Sequence, residues 1–296
     1  MVNAKQLTTT KEPAAPVDPL GAAPLHGPPR EKHIVVVLGV GPGLGLAIAR
    51  VFAAQGYATA ILSRTKSRLD QFATELDALA HERLRRDGHP ATGVLSRAFA
   101  CDMLQQHTIH QAIADIQAAW PDRLIGTCAY NGSIRKRGEF LRLHMDQLKE
   151  SIDASVFAFF TFAQLTLSKM IEHNQGGTLL VTGATSSVRG REGFVPFAAA
   201  STYIHTHGTE GALRNMCQSL AREFGEKNVH VAHIIVDGLI ESKTALEFFK
   251  LPTNERFTDG NALVPDQMAK TWLFLAQQHP STWTAELDLR PAKEKF

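Results

Sequence analysis

Short apolar runs alternate with longer segments of helical periodicity through most of this chain. Residues 34–38 are apolar and largely β-branched, and a glycine ends them, which is typical of a buried parallel strand. Glycines follow at alternate positions, and apolar residues then recur at helical spacing from Leu46 to Ala53. The pattern therefore predicts a strand, a glycine turn and a helix in succession.

The alternation continues to the C-terminus. Further strand-like runs lie at residues 58–62, 95–100, 124–129, 178–182, Val229–Val236 and 285–289. Helical patterns lie around Leu69–x2–Phe72 and at Met145–Glu172, residues 211–225 and residues 265–278. Strands separated by helices predict an α/β fold, a doubly wound parallel sheet with helices on both faces.

A proline-rich segment precedes this pattern. Residues 1–31 contain six prolines and show no apolar periodicity, so they are predicted to be a disordered tail before a single domain at residues 32–296. The tail lacks the apolar core of a secretory signal and is only weakly similar to a transit peptide, which favours a cytoplasmic protein.

Composition excludes little and agrees with a soluble globular domain. The net charge is +2 and 44% of the residues are hydrophobic, and the densest basic run, Arg135-Lys136-Arg137, is short. Neither a nucleic-acid partner nor a membrane partner is expected. The three cysteines are far apart; Cys101 and Cys128 follow apolar runs, so they are predicted to be buried and reduced.

The glycine turn is the strongest chemical feature of the sequence. Glycines without a Cβ let the backbone turn tightly and approach a pyrophosphate, and the following helix directs its free N–H groups at that anion. A dinucleotide fingerprint requires this context of strand, glycine turn and helix. The candidate cofactor-binding residues here are Gly39, Gly41, Gly43, Leu44 and Gly45.

The end of the second strand indicates which dinucleotide is bound. An acidic residue there would accept a hydrogen bond from the ribose 2′-OH, but this chain has Ser63 and Arg64. A hydroxyl and a guanidinium suit a 2′-phosphate, so NADP(H) is favoured over NAD(H). The third strand ends at Cys101, and Asp102 and Met103 follow. Asp102 is expected to cap the next helix, to accept a hydrogen bond from the adenine amino group, or both.

The chain resembles the short-chain dehydrogenase/reductase family over residues 32–296. The matching motifs are Gly39-x3-Gly43-x-Gly45, Asp102, Ala129-Tyr130-Asn131-Gly132-Ser133, Ser186-Ser187-x-x-Gly190 and Asp237-Gly238-x-Ile240-x-Ser242. The resemblance implies a Rossmann fold with seven parallel strands and a homodimer or homotetramer built on the long helices. It also implies that Asp102 contacts adenine, that Ser187 is the catalytic serine, and that Asp237, Gly238 and Ile240 hold the nicotinamide.

The catalytic pair of the family is altered in this chain. The family places a tyrosine and a lysine one helical turn apart, so that the lysine lowers the tyrosine pKa and the phenol exchanges a proton. The best register aligns Phe197 and Ser201 with that pair, and residues 202–210 are then an insertion. In that register both the tyrosine and the lysine are missing.

Two other registers are open. Without an insertion, Thr206 and Glu210 take the two positions. Tyr203 and His207 instead keep a tyrosine and a weak cation one turn apart, which makes them candidate catalytic residues beside Ser187. His205 and His207 have no second carboxylate or cysteine cluster nearby, so a metal site is not expected.

A subgroup of the family carries Phe-Ala-Ala-Ala-Lys in place of Tyr-x3-Lys and Asp-Gly in place of Pro-Gly. This chain resembles it through Phe197-Ala-Ala-Ala, Asp237-Gly238 and the C-terminal segment Trp283-Thr-Ala-Glu-Leu-Asp-Leu-Arg290-Pro291. The resemblance supports the register in which Phe197 replaces the tyrosine.

Three functional hypotheses follow. The first is an NADP(H)-dependent oxidoreductase that moves hydride between the nicotinamide and a small carbonyl or alcohol substrate. The second is a binding protein that senses NADP(H) without turnover, because the catalytic pair is degenerate. A methyltransferase is disfavoured, since such sites need an acidic residue where Arg64 stands.

Overall fold

The structure, a computed structural model, describes residues 24–134, 136–172, 174–190, 192–201, 212–248, 250 and 260–293. Within them, seven strands form one fully parallel sheet in the order β3-β2-β1-β4-β5-β6-β7. The strands are β1 (His33–Leu38), β2 (Ala58–Ser63), β3 (Ser96–Ala100), β4 (Leu124–Tyr130), β5 (Gly177–Ala184), β6 (Val229–Val236) and β7 (Glu286–Leu289). The predicted α/β class and doubly wound parallel sheet are confirmed.

The helices cover both faces of this sheet. They are α1 (Leu44–Ala53), α2 (Lys66–Arg86), α3 (Gln106–Ala119), α4 (Met145–Ile152), α5 (Ala158–Glu172), α6 (Val195–Ser201), α7 (Ala212–Gly225), α8 (Lys243–Phe248) and α9 (Pro265–Ala276). The buried side chains of α1, α2 and α9 form one apolar core, and those of α3, α5 and α7 form the other. The five inner strands therefore bury both of their faces, which is why they appear in the sequence as largely apolar runs, whereas the edge strands β3 and β7 are partly exposed.

The strand order reverses between β1 and β4. From β1 the chain moves outward to β2 and β3, and it then returns to β4 and continues outward on the other side to β7. In open parallel sheets a crevice forms at such a switch point, beyond the carboxyl ends of the two strands. The residues that follow Leu38 and Tyr130 therefore face each other across this crevice.

The helical stretch predicted at Met145–Glu172 is interrupted in the structure. A π-helical turn, Asp153–Phe157, separates α4 from α5. The Tyr130 hydroxyl at the end of β4 donates a hydrogen bond to the Ala154 carbonyl within this turn. By length and apolarity Met145–Glu172 is the one stretch of the described chain that could span a membrane, and 56% of its most apolar window is buried in the fold.

The boundary predicted between tail and domain lies too far along the chain. Residues 24–31 pack against the domain: the Leu25 side chain is buried, and its N–H donates to the Tyr57 hydroxyl at 3.0 Å. His33 donates from Nδ1 to the Pro28 carbonyl at 2.9 Å, because that carbonyl can only accept. Of the predicted tail, only residues 1–23 lie outside the described residues.

An ion-pair cluster attaches α7 to the edge of the sheet. Arg214 donates to both Glu286 carboxylate oxygens at 2.7 Å, and His233 Nδ1 lies 2.9 Å from the same carboxylate. Burial lowers the pKa of His233, which keeps the imidazole neutral near pH 7. His230 and His233 are thus structural residues of β6, each hydrogen-bonded to the segment at β7.

Candidate functional site

The glycine turn lies at the switch point, where two backbones approach closely. Gly39 has a φ of +89°, and a Cβ at this position would lie 2.3 Å from the Asn131 carbonyl oxygen. A Cβ on Gly45 would lie 2.4 Å from the Gly39 carbonyl oxygen. A side chain at Gly39 would push the glycine turn away from β4, and a side chain at Gly45 would push α1 away from the turn.

The other two glycines face open space. A Cβ added to Gly41 or Gly43 would meet no atom within 4 Å. Gly43 is the N-cap of α1 and offers no side-chain cap, and the first turn of α1 contains no acidic residue. No acidic side chain in the first turn therefore balances the positive end of the α1 helix dipole. The open space beside it would fit an anionic group.

A cleft of about 180 Å³ lies between the ends of β1, β2 and β4. It is lined by Leu38, Gly39, Val40, Gly41, Leu62, Ser63, Arg64, Cys101, Met103, Asn131 and Ser133. Arg64 is exposed. Burial raises the pKa of the Cys101 thiol to about 11, so the thiol stays protonated and takes no nucleophilic role at neutral pH.

The structure corrects one interpretation of Asp102. The N-cap of α3 is Gln105, and the Asp102 carboxylate instead accepts a hydrogen bond from the Leu104 N–H at 3.1 Å. Asp102 thus stabilises the turn before α3 and does not cap the helix. Its side chain is absent from the described lining of the cleft, whereas its neighbours Cys101 and Met103 are part of that lining.

A second cleft, of about 340 Å³, continues past Asn131 and Ser133 to the ends of β5 and β6. It is lined by Leu44, Asn131, Gly132, Ser133, Ser155, Thr182, Gly183, Ala184, Thr185, Ser186, Ser187, Phe194, Phe197, Leu213, Val236, Gly238 and Ile240. We call this the Ser187 cleft. Because Asn131 and Ser133 line both clefts, one elongated ligand can extend through the two.

Ser187 is buried at the base of this cleft. Its hydroxyl oxygen accepts a hydrogen bond from the Ala184 N–H at 3.3 Å. Ser155 lies on the same cleft, and its buried hydroxyl has no partner among the described residues. The π-helical turn between α4 and α5 positions Ser155 there, and such turns often occur at functional sites. A turn of this kind cannot be located from apolar periodicity, and the only sequence signal for Ser155 is the family resemblance, which aligns it with an asparagine of the family's long helix.

The predicted catalytic pair lies outside the described residues. Tyr203 and His207 both fall within residues 202–211, of which nothing is described. Phe197, by contrast, is described: it is buried in α6 and lines the cleft. The position of Phe197 on the same cleft as Ser187 is compatible with the register in which Phe197 replaces the tyrosine, and that register stays a prediction.

The structure gives the Asp237 side chain a different role from cofactor contact. Asp237 is 2% exposed, and it does not line the cleft that includes Gly238 and Ile240. Its carboxylate lies 2.6 Å from Arg290 Nη1 and 3.1 Å from Arg189 Nη2, and it accepts a 2.6 Å hydrogen bond from the Thr185 hydroxyl. The carboxylate therefore joins the segment that carries Ser187 to the segment after β7.

The negative charge of Asp237 also affects the pKa of a neighbouring carboxyl group, that of Asp288. Burial, followed by the negative charge of Asp237, raises the pKa of Asp288 above its ordinary value. The arginines that neutralise Asp237 were not selected as a pair from the sequence, because Arg189 and Arg290 are about a hundred residues apart in the chain.

The fold and the switch-point clefts define a dinucleotide-binding type of α/β protein, and comparison with known proteins gives its family. The chain belongs to the short chain dehydrogenase family, whose sequence model matches residues 33–248. Members of this family are oxidoreductases.

Individual relatives are distant. Carbonyl reductase family member 4 of Danio rerio is 21% identical over 246 residues, which cover 83% of this chain and 92% of that protein. A short-chain dehydrogenase from Rhodopseudomonas palustris superposes with a TM-score of 0.66 at 25% identity, over 88% of this chain and 99% of the other. An alcohol dehydrogenase from Thermococcus sibiricus, complexed with 5-hydroxy-NADP, superposes with a TM-score of 0.68 at 17% identity, over 89% and 98%.

Proposed function

We propose that this protein is an NADP(H)-dependent oxidoreductase that interconverts a carbonyl and an alcohol. The open space beside Gly41 and Gly43, next to the uncapped start of α1, supports a diphosphate there. The two joined clefts then provide room for the adenosine half beside Ser63 and for the nicotinamide half beside Gly238. A related fold binds an NADP derivative in the Thermococcus sibiricus protein.

The preference for NADP(H) rests on Ser63 and Arg64. Both line the smaller cleft, and Arg64 has no ion-pair partner among the described residues, so its guanidinium is available to a 2′-phosphate. We expect Arg64→Ala to weaken NADPH binding about 10- to 100-fold, the range for a lost hydrogen bond to a charged group, and to leave NADH binding unchanged. Fluorescence titration with both nucleotides measures this.

Arg86→Ala is the matched control, because Arg86 is an exposed arginine at the C-terminal end of α2, the helix that begins two residues after Arg64, and pairs with Glu82. It should change neither affinity. Equal weakening of NADPH and NADH by the Arg64 substitution would contradict a 2′-phosphate contact.

Ser187 is the residue that we assign to the substrate. Bound NADPH supplies the hydride for the reaction. The Ser187 hydroxyl donates to the substrate carbonyl oxygen, since its own oxygen already accepts from the Ala184 N–H. Ser155, with its unpartnered hydroxyl on the same cleft, orients a second polar atom of the substrate or of a water molecule.

We expect Ser187→Ala to lower kcat/KM for NADPH oxidation at least about 10-fold with an aldehyde or ketone substrate, because one hydrogen bond to the reacting oxygen is lost. Binding of NADPH should stay within twofold of the unaltered protein. Ser281→Ala, at an exposed turn before β7, serves as the control. Unchanged turnover in the Ser187 variant would contradict the assignment.

Phe197 favours a second candidate function. A phenylalanine side chain cannot donate a proton, and loss of a positioned acid typically lowers a rate about 10²- to 10⁴-fold. A protein that binds NADP(H) and turns over no substrate would then act as a sensor of the nucleotide. NADPH binding without oxidation across aldehydes, ketones and quinones would identify this function.

An apolar groove between α5 and α7 supports a homo-oligomer. It has a volume of about 560 Å³ and an exposed phenylalanine, Phe160, at its edge. A second copy could bury this surface against its own α5 and α7, as a twofold interface requires. Sedimentation analysis of the purified protein tests for the dimer or tetramer.

A further inference from the structure

The Ser187 cleft is lined by apolar and uncharged polar groups. Phe194, Phe197, Leu213, Val236 and Ile240 supply apolar side chains around Ser187. Among the described lining residues none carries a charge. A cleft of this kind has no partner for a carboxylate or a phosphate on the substrate, and burying either group there would leave it unpaired.

Unusually exposed apolar side chains lie beside this cleft. Phe140 and Leu141, on the connection from β4 to α4, and Met145, the first residue of α4, are 66%, 89% and 64% exposed. Val188, on the connection from β5 to α6, and Val195, the first residue of α6, are also exposed. We call these five residues the apolar lip. Single exposed apolar residues are ordinary in proteins, but a group of them indicates a binding surface.

The two parts of the lip are held together and joined to the cleft. The Gly138 N–H donates to the Gly193 carbonyl at 2.9 Å, and α4 packs against α6. Val188 directly follows Ser187, and Val195 directly follows Phe194, which lines the cleft. The segments that carry the lip are therefore joined to the residues that line the cleft at Ser187 and Phe194.

Three cations on this connection and on α4 lie beside carboxylates. Lys136 lies 2.7 Å from Glu150, and Arg142 lies 3.1 Å from Glu139. Lys149 lies 4.0 Å from Asp146. Each of these three positive charges therefore has a negative charge close to it.

We propose that the substrate is an uncharged, elongated lipophilic carbonyl or alcohol compound. Its oxygen-bearing end lies at Ser187 and its apolar body covers the apolar lip. Sugar acids and phosphorylated carbonyl compounds carry charges that the described lining of the cleft does not pair. The proposal rests on the oxidoreductase function proposed above and adds the class of substrate.

The test is a homologous series of straight-chain aldehydes from butanal to decanal with saturating NADPH. We expect kcat/KM to rise about 3- to 4-fold for each added methylene group that contacts the lip, the factor for transfer of one methylene out of water. Calorimetric titration of the corresponding 1-alkanols in the presence of NADPH gives a second readout, because an alkanol and the reduced nucleotide cannot exchange hydride and the titration reports chain-length dependence without turnover.

Leu141→Asp should flatten both series, because a charged side chain on the lip removes the apolar contact that each added methylene group would gain. Phe274→Asp is the matched control, since Phe274 is 57% exposed on α9, on the sheet face opposite α5 and α7. Leu141→Ser replaces the aspartate variant if that variant does not fold.

The outcomes separate the two proposals. If NADPH does not bind, the oxidoreductase function fails. If NADPH binds and neither series depends on chain length, or if succinic semialdehyde is preferred over butanal, the lipophilic-substrate inference fails and the function stands. A Leu141→Asp variant that changes only the sedimentation coefficient would show that the lip is an interface between copies, which overturns the inference.

Discussion

Replacement of Asp237 by asparagine is expected to lower the free energy of unfolding by about 3 kcal/mol, because it breaks a buried ion pair and leaves positive charge uncompensated. The carboxylate is almost fully buried between Arg290 and Arg189 and also accepts from Thr185. Urea denaturation followed by circular dichroism measures the loss. The same substitution should raise KM for the aldehyde substrate, since Thr185 and Arg189 flank Ser187.

Asp87 provides a matched control in the same chain. It too is held by two arginines, Arg30 at 2.6 Å and Arg83 at 3.0 Å, but it lies at the surface. Asp87→Asn should therefore cost less than about 1 kcal/mol, as exposed pairs do. Equal losses in the two variants would contradict the structural role assigned to burial at Asp237.

Replacement of Gly39 by alanine is expected to abolish measurable NADPH binding and to lower the free energy of unfolding by about 3 kcal/mol. An L-residue at a φ of +89° costs about 1–2 kcal/mol, and overpacking adds about 1–3 kcal/mol. The overpacking arises because the new Cβ would lie 2.3 Å from the Asn131 carbonyl oxygen. The glycine turn would have to move away from β4, which changes the surface that we propose for the diphosphate.

Gly88→Ala separates the cost of backbone strain from the cost of overpacking. Gly88 has a φ of +73°, but a Cβ there would meet no atom within 4 Å. This variant should lose only the 1–2 kcal/mol of backbone strain and should bind NADPH normally. NADPH affinity in the Gly39 variant equal to that of the Gly88 variant would show that close approach to Asn131 is not needed for the site.

Much of the candidate site could be predicted because its signals are local. The strand, the glycine turn and the helix from His33 to Ala53 are one continuous segment, and each residue's part follows from its neighbours. The motif around Ser187 also directly follows a strand, so its position at the carboxyl edge of the sheet follows from the strand prediction.

Predictions that depended on distant partners were less complete. Asp237 has the sequence position of a cofactor contact, yet its carboxylate binds Arg189 and Arg290. Capping of α3 was one expectation for Asp102, but the N-cap of that helix is Gln105, three residues later in the chain. Residues 24–31 are rich in proline, and they nevertheless pack against Tyr57 and His33.

The sequence by itself determined the doubly wound parallel sheet, the location of the glycine turn and the position of Ser187, because hydrophobic periodicity and glycine placement act over a few neighbouring residues. Only the tertiary structure decided that Phe197 and Ser155 share a cleft with Ser187, that two arginines hold Asp237, and that an apolar lip adjoins the site. These features depend on contacts between segments far apart in the chain, and no local pattern encodes which segments meet.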